Sequence, residues 1–140
     1  MNIKVLKKAS KKIRDFEKKE WDLADQKHFG QAVDWNPKRF AIVAYEKKEI
    51  IATLEFHIKL GVVIISTLIV SSKNRGQGIG TMLLNKVEDI AKQHNTHKIY
   101  LTTGKGWDAE NLYKKFGMVQ TGELSNHYAN RDFVAYSKYL

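Results

Sequence analysis

Apolar and polar positions along the chain change period several times, and each change marks an element. Ile3 and Val5 alternate with polar neighbours, the pattern of a short strand. Ile13, Phe16, Glu20 and Leu23 then keep helical spacing behind Ser10, a candidate N-cap. His28 to Arg39 reads as loop, with a glycine, Gln31, Asp34 and the chain's only proline in Asn36-Pro37. Phe40 to Tyr45 and Glu49 to Ile58 predict two strands about a tight turn at Glu46-Lys47-Lys48. In the second, Ala52, Leu54, Phe56 and Ile58 share one face, and Thr53, Glu55 and His57 the other. Val62 to Val70 is almost continuously apolar, the pattern of a central strand covered on both faces.

The second half alternates differently. Ile79, Leu83, Leu84, Val87, Ile90 and Ala91 recur at helical spacing, with Lys86, Glu88, Asp89 and Lys92 between them. Lys98 to Thr102 is a further strand, and Ala109 to Phe116 a short helix stopped by Gly117. Met118 to Leu124 and Phe133 to Lys138 close the chain as strands. The order β–α–loop–β–β–β–α–β–α–β–β predicts an α+β or mixed α/β layer fold in a single domain, residues 1–140.

Composition removes several classes of function. A chain of 140 residues buries enough surface to fold without disulfide or metal. It has no cysteine, which excludes disulfides, thiolate nucleophiles and Cys-ligated zinc, and fits a reducing, cytoplasmic location. The longest apolar stretch, Gly61 to Val70, is half the length of a spanning helix, and the N-terminus runs straight into lysines. No membrane partner is therefore expected. His28, His57, His94, His97 and His127 are scattered, and no metal is expected. The net charge is +9, with eight basic side chains in the first twenty residues. That density reads either as a solvated helix face or as a patch for an anionic substrate or nucleic acid.

Chemistry concentrates in Val70-Ser71-Ser72-Lys73-Asn74-Arg75-Gly76-Gln77-Gly78-Ile79-Gly80-Thr81. A buried strand runs into a glycine-rich turn that opens a helix. The first amides of such a helix have no internal partners and sit at its positive end, so the turn is a phosphate cradle. It is not a P-loop, because Gly80 is followed by Thr81 and Met82 rather than lysine. It is not a dinucleotide fingerprint either, because the spacing is G-x-G-x-G.

Arg75-Gly76-Gln77-Gly78-Ile79-Gly80 resembles the R/Q-x-x-G-x-G/A motif of the GNAT superfamily, the acetyl-CoA-dependent N-acetyltransferases. Ala109-Glu110-Asn111-Leu112-Tyr113-Lys114-Lys115-Phe116-Gly117-Met118 is similar to that family's A-x-x-L-Y-x-K-x-G-F segment. The resemblance extends over about Phe40 to Lys138. Gly106 stands where the family often has an asparagine, and Met118 where it has phenylalanine.

The resemblance implies a mostly antiparallel sheet whose fourth and fifth strands, here Val62–Val70 and Lys98–Thr102, splay apart. Acetyl-CoA is the implied co-substrate, with its pantetheine arm against Leu68, Ile69 and Val70. Its pyrophosphate is implied at Arg75, Gly76, Gln77, Gly78, Ile79, Gly80 and Thr81. Lys73, Arg75, Lys105 and Lys114 are candidate 3′-phosphate partners. Tyr113 matches the tyrosine that protonates the leaving thiolate. The acceptor is a primary amine attacking directly, since no cysteine can carry an acetyl group. An alkylammonium with pKa about 10.4 is neutral in about one molecule in a few thousand at pH 7, a cost of about 4–5 kcal/mol. A base must offset it. Glu55 is the first candidate, ahead of His57 and His127; both strand residues also read as plain solvent-facing positions. The sequence leaves the acceptor open between a small molecule and a peptide end. Two other readings stand beside the enzyme: a non-catalytic basic module for nucleic acid or ribosome, and an acyl-CoA-sensing domain. Exposure of Phe133–Lys138 as an edge strand would admit a homodimer.

Overall fold

The computed structural model describes residues 1–140. The chain divides into two compact units, Met1–Trp35 and Asn36–Leu140.

The first unit is helix α1, Lys11–Phe29. Ser10 caps it by accepting the Ile13 N–H through Oγ, and Gly30, left-handed at φ 71°, closes it by donating its N–H to the Gln26 carbonyl. The helix therefore runs on to Phe29, past the loop start expected at His28. Buried Asp25 accepts the Trp35 indole N–H, and the Trp35 ring meets Phe29 edge-on, which ties the following segment back to the helix. The strand expected at Ile3 and Val5 does not form. Both side chains are exposed, and two apolar residues among lysines offer too little buried area to order a strand. Phe16 and Leu23 keep their helical spacing yet are exposed too.

The second unit holds one six-stranded sheet, β1 Lys38–Glu46, β2 Glu49–Lys59, β3 Val62–Val70, β4 Lys98–Gly104, β5 Val119–Leu124 and β6 Phe133–Tyr139. Their order is β1-β2-β3-β4-β6-β5, antiparallel except at β3–β4. The strands expected as fourth and fifth are thus β3 and β4. Helix α2, Ile79–Gln93, follows β3, and α3, Ala109–Phe116, follows β4. No helix is long and apolar enough to cross a membrane.

The alternation in β2 falls as the sequence demands. Ala52, Leu54, Phe56 and Ile58 are buried in the core with Val63, Ile65, Ile99, Leu101, Val134 and Tyr136. Leu83, Leu84, Val87 and Ala91 of α2 and Tyr113 and Phe116 of α3 close that layer. Two expectations fail here. Phe133–Lys138 is no edge strand: β6 is hydrogen-bonded to both β4 and β5, and the edges are β1 and β5. Nor is β3 covered on both faces throughout, because Ser66 is exposed and Ile69 is 54% exposed. The cause is local. Thr67 pairs with Glu55 but Ile65 with Phe56, which leaves Ser66 as a bulge whose Oγ donates to the Glu55 carbonyl. Beyond the bulge, Leu68 and Val70 turn to the core side and Thr67 and Ile69 to the other.

Candidate active site

β3 and β4 pair in parallel only over Val62–Ile64 against Lys98–Tyr100. The bulge at Ser66 follows at once, and from there the two strands part. The Ser71 N–H bonds the Ile51 carbonyl at 2.7 Å. Successive amides of a strand alternate edges, so Thr67 and Ile69 face β2, while Leu68 and Val70 face the gap that β4 has left.

A cleft of about 880 Å³ fills that gap. One wall is Ile65 to Val70 of β3, and the opposite wall is Leu101, Thr102 and Thr103 of β4 with Phe133 of β6. Its third side is the glycine-rich turn, and its fourth is Trp107 with the α3 residues through Lys115.

Three glycines serve two purposes in the turn. Gly76 and Gly78 are left-handed, at φ 76° and 80°, with open space where a Cβ would stand. Gly80 is helical, and a Cβ there would meet Leu112 Cδ2 at 3.0 Å, so its hydrogen lets α2 and α3 approach. Gly78 is the N-cap of α2 and offers no side-chain acceptor; the first turn holds no acid. Its leading amides are thus unpaired by side chains and lie beside the cleft. The turn is fixed from outside. Arg75 Nε donates to the Val70 carbonyl at 3.2 Å, and Asn74 Nδ2 to the Glu46 carboxylate at 3.1 Å.

α3 is anchored by a carboxylate. Glu110 accepts the hydroxyl of buried Tyr136 and the N–H of Gly106. These bonds hold the Glu110 carboxyl below its usual range, the Tyr136 contact foremost. Burial first, then Glu110, pushes the Tyr136 phenol up to about 12. Tyr113 lies one turn on, 7% exposed, with its ring 6.2 Å from that of Tyr136. Burial raises its phenol above the ordinary value.

The site residues expected from sequence fall into two groups. Leu68, Ile69, Val70, Arg75, Gly76, Gly78, Ile79, Gly80, Thr81 and Tyr113 all line the cleft. Gln77 is not in its lining, and neither are Lys73, Lys105 and Lys114; Lys115 is. Glu55 is exposed on the sheet face away from α2 and α3, opposite Thr67, which does line the cleft. His57 pairs with Arg39 and Ile64, and burial, then Arg39 and Lys59, lower its pKa. His127 meets Tyr128 at a tilt of 57°, with ring centroids 4.2 Å apart, and Phe133 edge-on. Trp107 was not anticipated. A Cβ on Gly104 would stand 2.1 Å from its indole, so the glycine is what lets the ring lie on β4.

A sequence model described as the Acetyltransferase (GNAT) family matches residues 10–118. Among solved structures, an acetyltransferase of Agrobacterium tumefaciens, described as putative, superposes with a TM-score of 0.75 at 20% identity, covering 100% of both chains. An acetyltransferase from Bacillus cereus gives 0.76 at 20% identity, covering 98% of each. A GNAT family acetyltransferase from Elizabethkingia anophelis, solved with acetyl-CoA bound, gives 0.68 at 21% identity, covering 94% of this chain and 84% of that one.

Proposed function

The chain belongs to the GNAT acetyltransferase family, and from that premise we propose that it transfers the acetyl group of acetyl-CoA directly to a primary amine. The family makes it an acyltransferase; the amine, the direct attack and the residue roles are our reading. The observation that carries it is the one-sided pairing of β3 beyond Ile64, which turns the Leu68 and Val70 amides toward a cleft ending at an uncapped helix. The matched segment runs through both compact units, which supports residues 1–140 acting as one acetyltransferase domain.

Acetyl-CoA fits the residues present. The amides of Gly76 to Thr81 suit a diphosphate, with Arg75 and Lys115 nearby as cations. The gap-facing backbone of Leu68 and Val70 suits an amide-bearing arm, which adds there as a strand would. When bound, it supplies an acetyl group activated as a thioester.

This chain's own groups handle the protons. Tyr113 is in the lining, and its hydroxyl, protonated at neutral pH as any phenol is, can donate to a departing thiolate. Glu55 is our candidate base. Its side chain stands on the same face as its cross-strand partner Thr67, at the spacing of about 4.5–5.5 Å usual for such pairs. Thr67 lines the cleft, so a proton relay from Glu55 through a bridging water is the route this reading requires.

Thiol release from acetyl-CoA, followed against monoamines, diamines, amino acids and peptides, tests the reading. Release that depends on an added amine, with the acetylated amine recovered, is the expected result. Binding of acetyl-CoA without release on any amine would sink the transfer proposal, and no binding at all would sink the cradle as well.

A further inference from the structure

Four rings meet at the β4–β6 rim of the cleft. Trp107 and Phe133, both in its lining, stand edge to face with centroids 5.4 Å apart. Tyr128 meets Phe133 at 5.1 Å and 83°, and His127 contacts both Tyr128 and Phe133. This is no buried core, because Trp107 is 58% and Tyr128 64% exposed.

The backbone is built to hold the rings there. Gly104 makes room for the indole. On the other side, Asn126, Ala129 and Asn130 are all left-handed, at φ 49°, 53° and 58°, without being glycine. Asn adopts such torsions readily, whereas Ala129 holds one only where surrounding bonds impose it. Here the Asn126 N–H donates to Asp132 Oδ1, and the His127 N–H to the Arg131 carbonyl.

Charge separates this rim from the glycine turn. Arg75 lines the turn side, and Lys115 the last turn of α3. Along the chain Asp108 adjoins Trp107 and Asp132 adjoins Phe133; Glu123 is paired to Lys105, and the connection between β5 and β6 adds Arg131 and the His127 ring. In a chain of net charge +9, that local balance disfavours an anion. Aromatic faces beside carboxylates attract an organic cation.

We propose that the rim of Trp107, Tyr128 and Phe133 holds a second ammonium on the acceptor, so that the preferred substrate is a diamine or polyamine. The proposal rests on the transfer reading above. An amine must be neutral when it attacks, so a cation resting on the rings is a different nitrogen of the same molecule. At the reacting end the N–C bond forms, the C–S bond breaks, the nitrogen's proton passes to the base and the sulfur gains one. The distal ammonium is unchanged throughout.

The test compares 1,5-diaminopentane with n-pentylamine, which share a five-carbon chain and differ by the terminal ammonium. Using the full chain, kcat/KM for the diamine is expected to exceed that for the monoamine by about tenfold, the scale of a cation on partly exposed rings. Tyr128→Leu, which keeps bulk and removes the ring, should bring the ratio close to one with the KM for acetyl-CoA unchanged. Tyr128→Phe should retain most of it. Equal use of both amines overturns the proposal and leaves the transfer reading standing. A Tyr128→Leu variant that loses acetyl-CoA affinity at an unaltered ratio also overturns it, assigning the rim to the coenzyme. Calorimetry with the same two amines covers the remaining case. Diamine-selective binding abolished by Tyr128→Leu, without thiol release, supports the rim while sinking transfer; unselective binding overturns the rim as well.

Discussion

Two helices begin on the walls of the same cleft, and they begin differently. α2 opens at Gly78 with no side-chain acceptor and no acid in its first turn. α3 opens at Asp108 and carries Glu110 in its first turn, where the carboxylate takes the Gly106 N–H and the Tyr136 hydroxyl. A helix start attracts negative charge in either case. In α3 the chain supplies that charge itself, and the helix is pinned to β6. In α2 nothing in the chain supplies it, and the turn is braced from behind by Arg75 and Asn74 instead. The contrast separates a helix start tied to β6 by its own carboxylate from one whose amides lie beside the cleft without a side-chain partner.

The sharpest expected consequence concerns α3. Tyr113→Phe removes the hydroxyl and leaves the ring packed, so the cleft keeps its shape. We expect kcat to fall by about 10²-fold or more, the usual contribution of a positioned acid, with little change in the KM for acetyl-CoA. Steady-state kinetics at saturating amine decide it; an unchanged kcat would retire the assignment and leave Tyr113 as a packing residue.

The next effect is on α2, and its two readouts should move in opposite directions. Thr81→Asp gives the first turn of α2 the anion it lacks. Acetyl-CoA should then bind about 10–100-fold more weakly, equivalent to about 1.4–2.7 kcal/mol, and the loss should shrink as salt is added. The folded chain should meanwhile gain about 0.3–1 kcal/mol from the favourable charge at the helix start. Calorimetric affinity together with a denaturation midpoint reads both. Weaker binding accompanied by lower stability would mean that the substitution merely damages the turn.

How much of this could be read from residues alone follows the same division. The paired strands and α2 were legible because burial imposes periods of 2 and 3.6; β3 and α3 fall where the pattern put them, at Val62–Val70 and Ala109–Phe116. The glycine turn was legible because its torsions exclude other residues. What stayed hidden depends on partners distant in sequence. The bulge at Ser66 exists only through its register with Glu55, so an apolar run read as a strand covered throughout. β6 passed for an edge because nothing in its pattern says that β5 returns to lie outside it. Trp107 gave one local signal, Gly104 three residues before it, and the signal has meaning only once the indole is seen on the strand. The Glu110–Tyr136 bond spans 26 residues and has no motif.

That bond carries the smallest of the three effects and tests the positioning half of the comparison. Glu110→Gln keeps the size of the side chain, and its carbonyl still accepts the Tyr136 hydroxyl. The amide's NH₂ then faces the Gly106 N–H, donor against donor, so one bond is lost and the other loses its charge. A cost of about 1–2 kcal/mol at neutral pH is expected. The pH dependence has a definite sign. The carboxyl of Glu110 lies lower in the folded chain than its ordinary value, so the folded state holds fewer protons there than the unfolded one. The stability it contributes is fully present above the ordinary carboxylate pKa of about 4.3 and disappears as pH falls through the depressed folded value. Denaturation midpoints of the parent and Glu110→Gln should therefore differ at pH 7 and converge as the medium is acidified below the ordinary carboxylate range. If α3 is what positions Tyr113, the variant should also lower kcat at pH 7 while leaving the KM for acetyl-CoA nearly untouched, because the amides proposed to hold the diphosphate belong to the other helix. A gap in stability that persists unchanged into acid would show that Glu110 acts by packing alone, and the distinction between the two helix starts would then rest on α2 only.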